Sequence, residues 1–364
     1  MIISDLLDSL NEWAPPSFQE DYDNSGMICG DPTQPVKKVL IALDCIESVV
    51  DEAIREKANV IIAHHPIVFK GLRSFTGKNY VERTVIKAIR NHIAIIAVHT
   101  NLDNVRTGVN HRIAEKLKLK DIRILDPKMG ILQKLVVFVP RTHTQQLMNS
   151  LFEAGAGGIG NYDECSFRTA GTGTFRGNEN ANPYLGKKGE RSSAEEDRVE
   201  VIFEKHRLSK VLSAMNDAHP YEEIAYDLLA LENAHDQVGS GMIGDLDQPM
   251  ETMEFLGRVK KTFSTGCVRY TRPHIPKVKK VAICGGSGSF LLEKAIRQKA
   301  DILITADFKY HQFFDAEDRI VIADIGHYES EQFTIDLIAD RIREKFPNFA
   351  VLKTQVNTNP IQYL

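Results

Sequence analysis

Apolar residues along this chain fall into two recurring forms. Continuous runs at 39–43 (VLIAL), 60–63 and 93–98 show no alternation, as strands buried on both faces do. Between them, Val49, Val50, Ala53, Ile54 and Ala58 follow helical spacing, and residues 81–91 do the same. The first 13 residues read as an amphipathic helix ending at Trp13 before Pro15-Pro16. Strands alternating with helices predict an α/β half with a parallel sheet.

The pattern then repeats. Residues 37–65 align without a gap on 279–307, sharing Lys-Lys-Val at the start and Ala-Ile-Arg-x-Lys-Ala within the helix, at a constant offset of 242 residues. Upstream, Ser25-Gly26-Met27-Ile28 is echoed by Ser240-Gly241-Met242-Ile243; downstream, 95–99 is echoed by 321–325. Three segments repeated in one order predict two duplicated α/β halves. The segment between them differs. It offers strand 135–140, helix 144–154, a glycine-rich stretch, strand 198–204, helix 209–218 and strand 224–230, a β-α-β-β-α-β order of the ferredoxin type. The polar, glycine-rich residues 176–196 read as a mobile loop. The expected organisation is a first α/β half over 1–129, an inserted ferredoxin-like α+β domain over 130–232, and a second α/β half over 233–364.

Composition narrows the class. With 43% hydrophobic and 26% charged residues, the chain is neither a disordered tail nor a membrane protein, and no stretch approaches the roughly 20 apolar residues that span a bilayer. Lysine and arginine number 45 against 49 acids, a net charge of −4 that argues against a general nucleic-acid binder. Five scattered cysteines without a C-x-x-C pair fit a reducing compartment, and the start has no apolar leader, so the expected location is the cytoplasm.

Ligands of parallel α/β sheets bind at the carboxyl ends of the strands. Those ends carry His64-His65-Pro66, His99 through Asp103, Asp307 with His311 nearby, and the run from Asp324 through His327 to Glu331. His327 and Glu331 are four apart at the start of a helix expected over 332–345, so both can face one point. Adjacent histidines diverge along a strand and could serve two neighbouring ions. Imidazole and carboxylate donors favour a transition-type divalent ion over calcium. Taken singly each histidine is more simply a hydrogen-bonded structural residue; their conjunction at strand ends points to a metal site. Gly285-Gly286-Ser287-Gly288 reads as a tight strand–helix turn, since it lacks a full G-x-G-x-x-G and any Walker lysine. Arg258, Lys260, Lys261, Arg269 and Arg272 read as a solvated basic face.

At these residues the sequence resembles the Nif-three-like (YqfO) family, often labelled GTP cyclohydrolase I type 2 homologue. The matching stretches are Asp23-Asn24-Ser25-Gly26, His64-His65-Pro66, His99-Thr100-Asn101-Leu102-Asp103, Thr305-Ala306-Asp307 with His311, and Gly326-His327-Tyr328-Glu329-Ser330-Glu331. The resemblance implies a dinuclear centre ligated by His64, His65, Asp103, His327 and Glu331, holding two divalent transition-metal ions per chain, zinc foremost and iron, manganese, nickel or cobalt otherwise. In the middle segment, residues 155–162, 171–175 and His219-Pro220-Tyr221-Glu222-Glu223 look like the PII/CutA-like domain of the family's longer members. It further implies a toroidal homohexamer. A separate metal or ligand site at His219, Glu222 and Glu223 is weighed below a structural turn.

Two ions about 3.5–4 Å apart sharing a carboxylate can activate water and clamp an attacked centre. The expected function is a metal-dependent hydrolase acting on a nucleotide or similar anionic substrate, through an amidine-like ring carbon, an ester or a phosphoester. Asp103 is the natural bridge; His99, Asp307 and His311 are candidates for orienting ligands or moving protons, and nearby basic residues for steering the substrate. The alternative is a non-enzymatic metal-binding or regulatory scaffold whose inserted domain senses a ligand or mediates assembly.

Overall fold

The unbroken apolar runs become the inner strands. A computed structural model describes residues 1–364. Its first half holds β1 (Gly26–Cys29), β2 (Lys38–Asp44), β3 (Val60–His65), β4 (Ala94–Ala97) and β5 (Lys120–Lys128). Strands β2, β3 and β4 are parallel, with Val39 beside Val60 and Val60 beside Ala94. Leu40, Ala42, Ile61 and Ala63 meet Val49, Val50 and Ala53 of the helix Glu47–Arg55, and Val85 and Ala88 of the helix Tyr80–Arg90, in one core. These helices present apolar residues at three- and four-residue intervals, which is why the spacing revealed them.

The middle of the chain supplies β6 (Leu132–Pro140), β7 (Ser166–Arg176), β8 (Arg191–Glu204) and β9 (Tyr226–Leu231), and the second half β10 (His235–Glu251), β11 (Arg269–Tyr270), β12 (Lys277–Ser287), β13 (Ile302–Ala306), β14 (Val321–Asp324) and β15 (Ala350–Lys353). The chain divides into two compact units, Met1–Pro127 with Gln237–Leu364, and Lys128–Asp236.

The larger unit has two sheets, ordered β1-β4-β3-β2-β15 and β11-β14-β13-β12-β10-β5. The halves exchange a strand: β15, near the end of the chain, runs parallel to β2, and β5, from the first half, lies at the edge of the second sheet beside β10. Buried Glu52 secures the return of β15, accepting hydrogen bonds from the Thr354 hydroxyl and, at 2.9 Å, from the Gln355 amide. The repeated Ser-Gly-Met-Ile segments do not occupy equivalent places. Gly26–Cys29 is antiparallel to β4, whereas the copy in β10 is antiparallel to β12, on the other side of its sheet. The repeated tetrapeptide encodes an antiparallel strand, not the neighbour it pairs with.

In the smaller unit the sheet order is β7-β8-β6-β9, with the helices Thr144–Glu153 and Leu208–Ala218 packed on Leu135, Val137, Val199, Val201 and Phe203. This is the ferredoxin-type β-α-β-β-α-β arrangement. The expected loop over 176–196 is too long: β7 and β8 pair without a break from Ser166 with Val201 to Arg176 with Arg191, leaving 177–190 as the connection. Strand β7 is exposed along most of its length, so its ladder forms without the apolar signature of a buried strand.

Candidate metal centre

The carboxyl ends of β2, β3 and β4 deliver Asp44, His64, His65 and His99, and the helical turn Thr100–Asp103 delivers Asp103. From the second sheet, β13 leads to Asp307, and β14 leads into a separate helical turn, His327–Glu331. The helix expected over 332–345 is Thr334–Lys345, and His327 and Glu331 stand on the separate turn before it, not at its start. One potential ligand atom each from His64, His65 and Glu331 lies within 4.8 Å of the others. Glu331 stands at the middle. Its carboxylate is 2.9 Å from His65 Nε2, 3.1 Å from His327 Nε2 and 3.8 Å from His64 Nε2. Asp103 Oδ1 is 3.6 Å from His64 Nε2. All five residues expected as ligands thus converge.

Each imidazole is oriented from behind. His64 Nδ1 lies 2.7 Å from the Val98 carbonyl, His65 Nδ1 2.7 Å from Asp44, His327 Nδ1 2.6 Å from Asp307, and His99 Nδ1 2.7 Å from Asp23. With Nδ1–H donating, Nε2 of each ring is the nitrogen left for the centre, the arrangement that fixes tautomer and angle for a metal ligand. Asp44 is itself held by the Thr358 hydroxyl. Asp44→Asn is expected to leave the fold intact but lower metal affinity about 10–100-fold, because an amide holds the His65 ring less firmly. Competition with a chromophoric chelator measures this; unchanged affinity would assign Asp44 a structural role alone.

The donor set fits a divalent transition metal. His64 Nε2 and Asp103 Oδ1 are both buried without a hydrogen-bond partner. Such atoms are costly unless something supplies a positive charge. Their 3.6 Å separation is too long for a hydrogen bond, and two donors each about 2.1 Å from one tetrahedral ion stand roughly 3.4 Å apart. Electrostatics agree. Burial, reinforced by the charge of Glu331, lifts the Asp103 carboxyl to about 7. Burial opposes charge on His65 and His327, but the adjoining carboxylates outweigh it and hold their pKa values at about 9 and about 11. Burial works against ionised Glu331 as well, yet His327 and His65 keep its carboxyl well below the ordinary range.

These shifts fix a pH dependence. For His65 and His327 the native pKa lies above the unfolded value near 6.5, so native protein binds more protons than unfolded protein between pH 6.5 and 9. Metal-free protein is expected to lose thermal stability as pH rises through that interval, while metal affinity rises because the ion displaces those protons. Melting curves with and without chelator test the pair; a flat or rising curve for metal-free protein would contradict it.

A cavity of about 450 Å³ opens onto the cluster, with Tyr22, Phe69, Phe290, Tyr328 and Ile361 among its walls and His99 beside Asp103. No lysine or arginine lines it. The expected steering by basic residues is corrected accordingly: Arg269 pairs with buried Asp324, and Arg258 donates to the Leu117 carbonyl at 2.6 Å. His311 is also corrected. It is exposed, packs between Tyr310 and Phe314, and is absent from the cavity. Sequence reasoning missed Asp44, whose only signal was its place at a strand end. It also read the Gly285-Gly286 turn as merely structural. Gly286 has φ +61°, and a Cβ there would meet Glu331 Oε1, so the turn lets the second sheet approach the cluster.

Residues 1–360 match the family model described as Duf34/NIF3 (NGG1p interacting factor 3). The chain belongs to this family. A protein named "GTP cyclohydrolase 1 type 2 homolog" in Halalkalibacterium halodurans is 40% identical over 364 residues, covering 99% of this chain and 98% of that one. Among solved structures, a Bacillus cereus protein related to NIF3 superposes with a TM-score of 0.86 at 36% identity, covering 100% of this chain and 99% of the other. A Staphylococcus aureus protein gives 0.79 at 30% identity with the same coverage. The NIF3 fold is therefore the fold of this chain. No helix in it is long and apolar enough to cross a membrane.

Proposed function

We propose that this NIF3-family chain binds two divalent transition-metal ions, zinc foremost, through His64, His65, Asp103, His327 and Glu331, and acts as a hydrolase on a nucleotide or similar small anion. The observation that carries the reading is the pair of buried, unpartnered donors, His64 Nε2 and Asp103 Oδ1, beside an open cavity. Ions held there supply Lewis-acid polarisation and a source of hydroxide at neutral pH. The chain's own residues supply the rest. His99, whose pKa burial lowers despite its bond to Asp23, is neutral at pH 7 and offers Nε2 as a proton acceptor. Phe69 and Phe290 line the cavity with apolar surface suited to a planar ring. The name carried by the relatives points to a purine nucleotide, whose phosphate charge the ions would have to meet.

A second reading, a metal-handling or regulatory scaffold, is favoured by the lack of any lysine or arginine at the cavity wall. On either reading the smaller unit is the PII/CutA-like module, and the assembly a toroidal homohexamer in the cytoplasm. Steady-state turnover on a nucleotide and phosphoester panel separates them. Hydrolysis abolished in His64→Ala and Glu331→Ala, with the native oligomer retained, supports the enzyme; absence of turnover across the panel supports the scaffold.

A further inference from the structure

The smaller unit has a cavity of its own, about 740 Å³, that none of the metal chemistry uses. It lies on the sheet face opposite the helices. Along β8, Val199, Val201 and Phe203 point to the core, so Glu196, an odd number of residues away, points to the other face. That face is normally solvated, yet Glu196 is only 8% exposed. The connection 177–190 contributes Gly177, Asn178, Asn180, Ala181, Pro183, Tyr184 and Leu185 to the walls above it.

Three features define what the cavity accepts. Glu196 accepts a hydrogen bond from the Tyr221 hydroxyl through Oε1 at 2.9 Å, and no lysine, arginine or histidine forms an ion pair with it. Its other oxygen lies against Gly173, where any side chain would collide with it. Three rings line the same cavity as the carboxylate: Tyr221 has its centroid 6.3 Å from that of Phe175 and 6.1 Å from that of Tyr184. Charged residues at the wall are Glu196, Glu222 and Glu223 against Arg176, and Glu222 is fixed by the Asn182 amide at 2.6 Å. His219 takes no part, since its ring nitrogens are occupied by the Phe138 carbonyl and the Tyr221 amide.

We propose that this cavity binds a small organic ammonium cation, with the aromatic rings facing its charge and Glu196 as the counter-ion. Aromatic faces with one buried carboxylate attract a weakly hydrated cation more than a metal ion, which would require several converging oxygens. An anion would meet three carboxylates.

Calorimetric titration of the full-length protein tests this, with choline, ethanolammonium and trimethylammonium as probes and dimethylbutanol as the uncharged isostere of choline. At least one cation is expected to bind, with the isostere about tenfold or more weaker. Glu196→Gln should weaken the cation about tenfold and leave the isostere unchanged. Tyr184→Ala, at a half-exposed ring whose loss does not threaten folding, should weaken the cation several-fold. Metal content should be native in both variants. Lack of binding by all three cations, equal binding of choline and its isostere, or binding of inorganic phosphate in their place would each overturn the proposal.

Discussion

Glu331→Gln is expected to reduce metal affinity by at least about 100-fold, more than the loss of any residue that merely orients a ligand. The carboxylate is nearly fully buried; Oε2 lies 2.9 Å from His65 Nε2 and 3.1 Å from His327 Nε2, and Oε1 lies 3.8 Å from His64 Nε2. Glutamine preserves the shape but replaces one acceptor by an N–H donor and removes the only charge that faces three histidines at once. Without that charge His327 loses the main reason for staying protonated, and His65, still paired with Asp44, loses one of two, so the pH dependence of metal-free stability should become shallower in the same variant. Metal content after dialysis and the pH series of melting curves read the two effects separately. Native metal retention would remove Glu331 from the centre.

The second large effect should come from a residue with no side chain. In Gly286→Ala, a methyl group would stand against Glu331 Oε1 and 3.2 Å from His327 Cε1, on a backbone at φ +61°. The strain is expected to cost about 1–3 kcal/mol. The turn cannot easily move away, because the Gly286 amide donates to Ser330 and the Gly285 amide to Asn110, each at 2.9 Å. Displacing Glu331 instead should lower metal affinity as well. Gly257→Ala is the control: nothing lies within 4 Å of its Cβ position, and alanine in a helix should be neutral or stabilising by up to about 1 kcal/mol. Equal behaviour of the two variants would contradict the close-approach role of Gly286.

What could be read from the sequence followed burial. Strands β2, β3, β13 and β14 are buried on both faces, and their unbroken apolar runs announced them to within one or two residues. The five convergent residues could be found because parallel strands place their carboxyl ends together, so strand-end chemistry is also site chemistry. Exposed β7 and the first half of β8 could not be read, since their ladder is stabilised by main-chain bonds that leave no trace in side-chain polarity, whereas the buried half of β8 was expected over 198–204. The exchange of β5 and β15 between sheets was hidden for a related reason: pairing partners distant in the chain, such as Val351 and Val39, more than 300 residues apart, carry no local signal. Asp44 and Gly286 show the limit at the site itself. Each acts through a neighbour, His65 or Glu331, that only the folded chain supplies.

The unpartnered His64 Nε2 and Asp103 Oδ1 link the fold to the proposed chemistry, because these two buried atoms face each other across 3.6 Å and neither has a hydrogen-bond partner in the protein. The decisive measurement for this metal centre is elemental analysis of metal per chain in protein purified without added metal, compared with a His64→Ala, Asp103→Ala double variant. About two transition-metal ions per native chain, lost in the variant, are expected. Equal metal content in the two proteins would contradict that expectation.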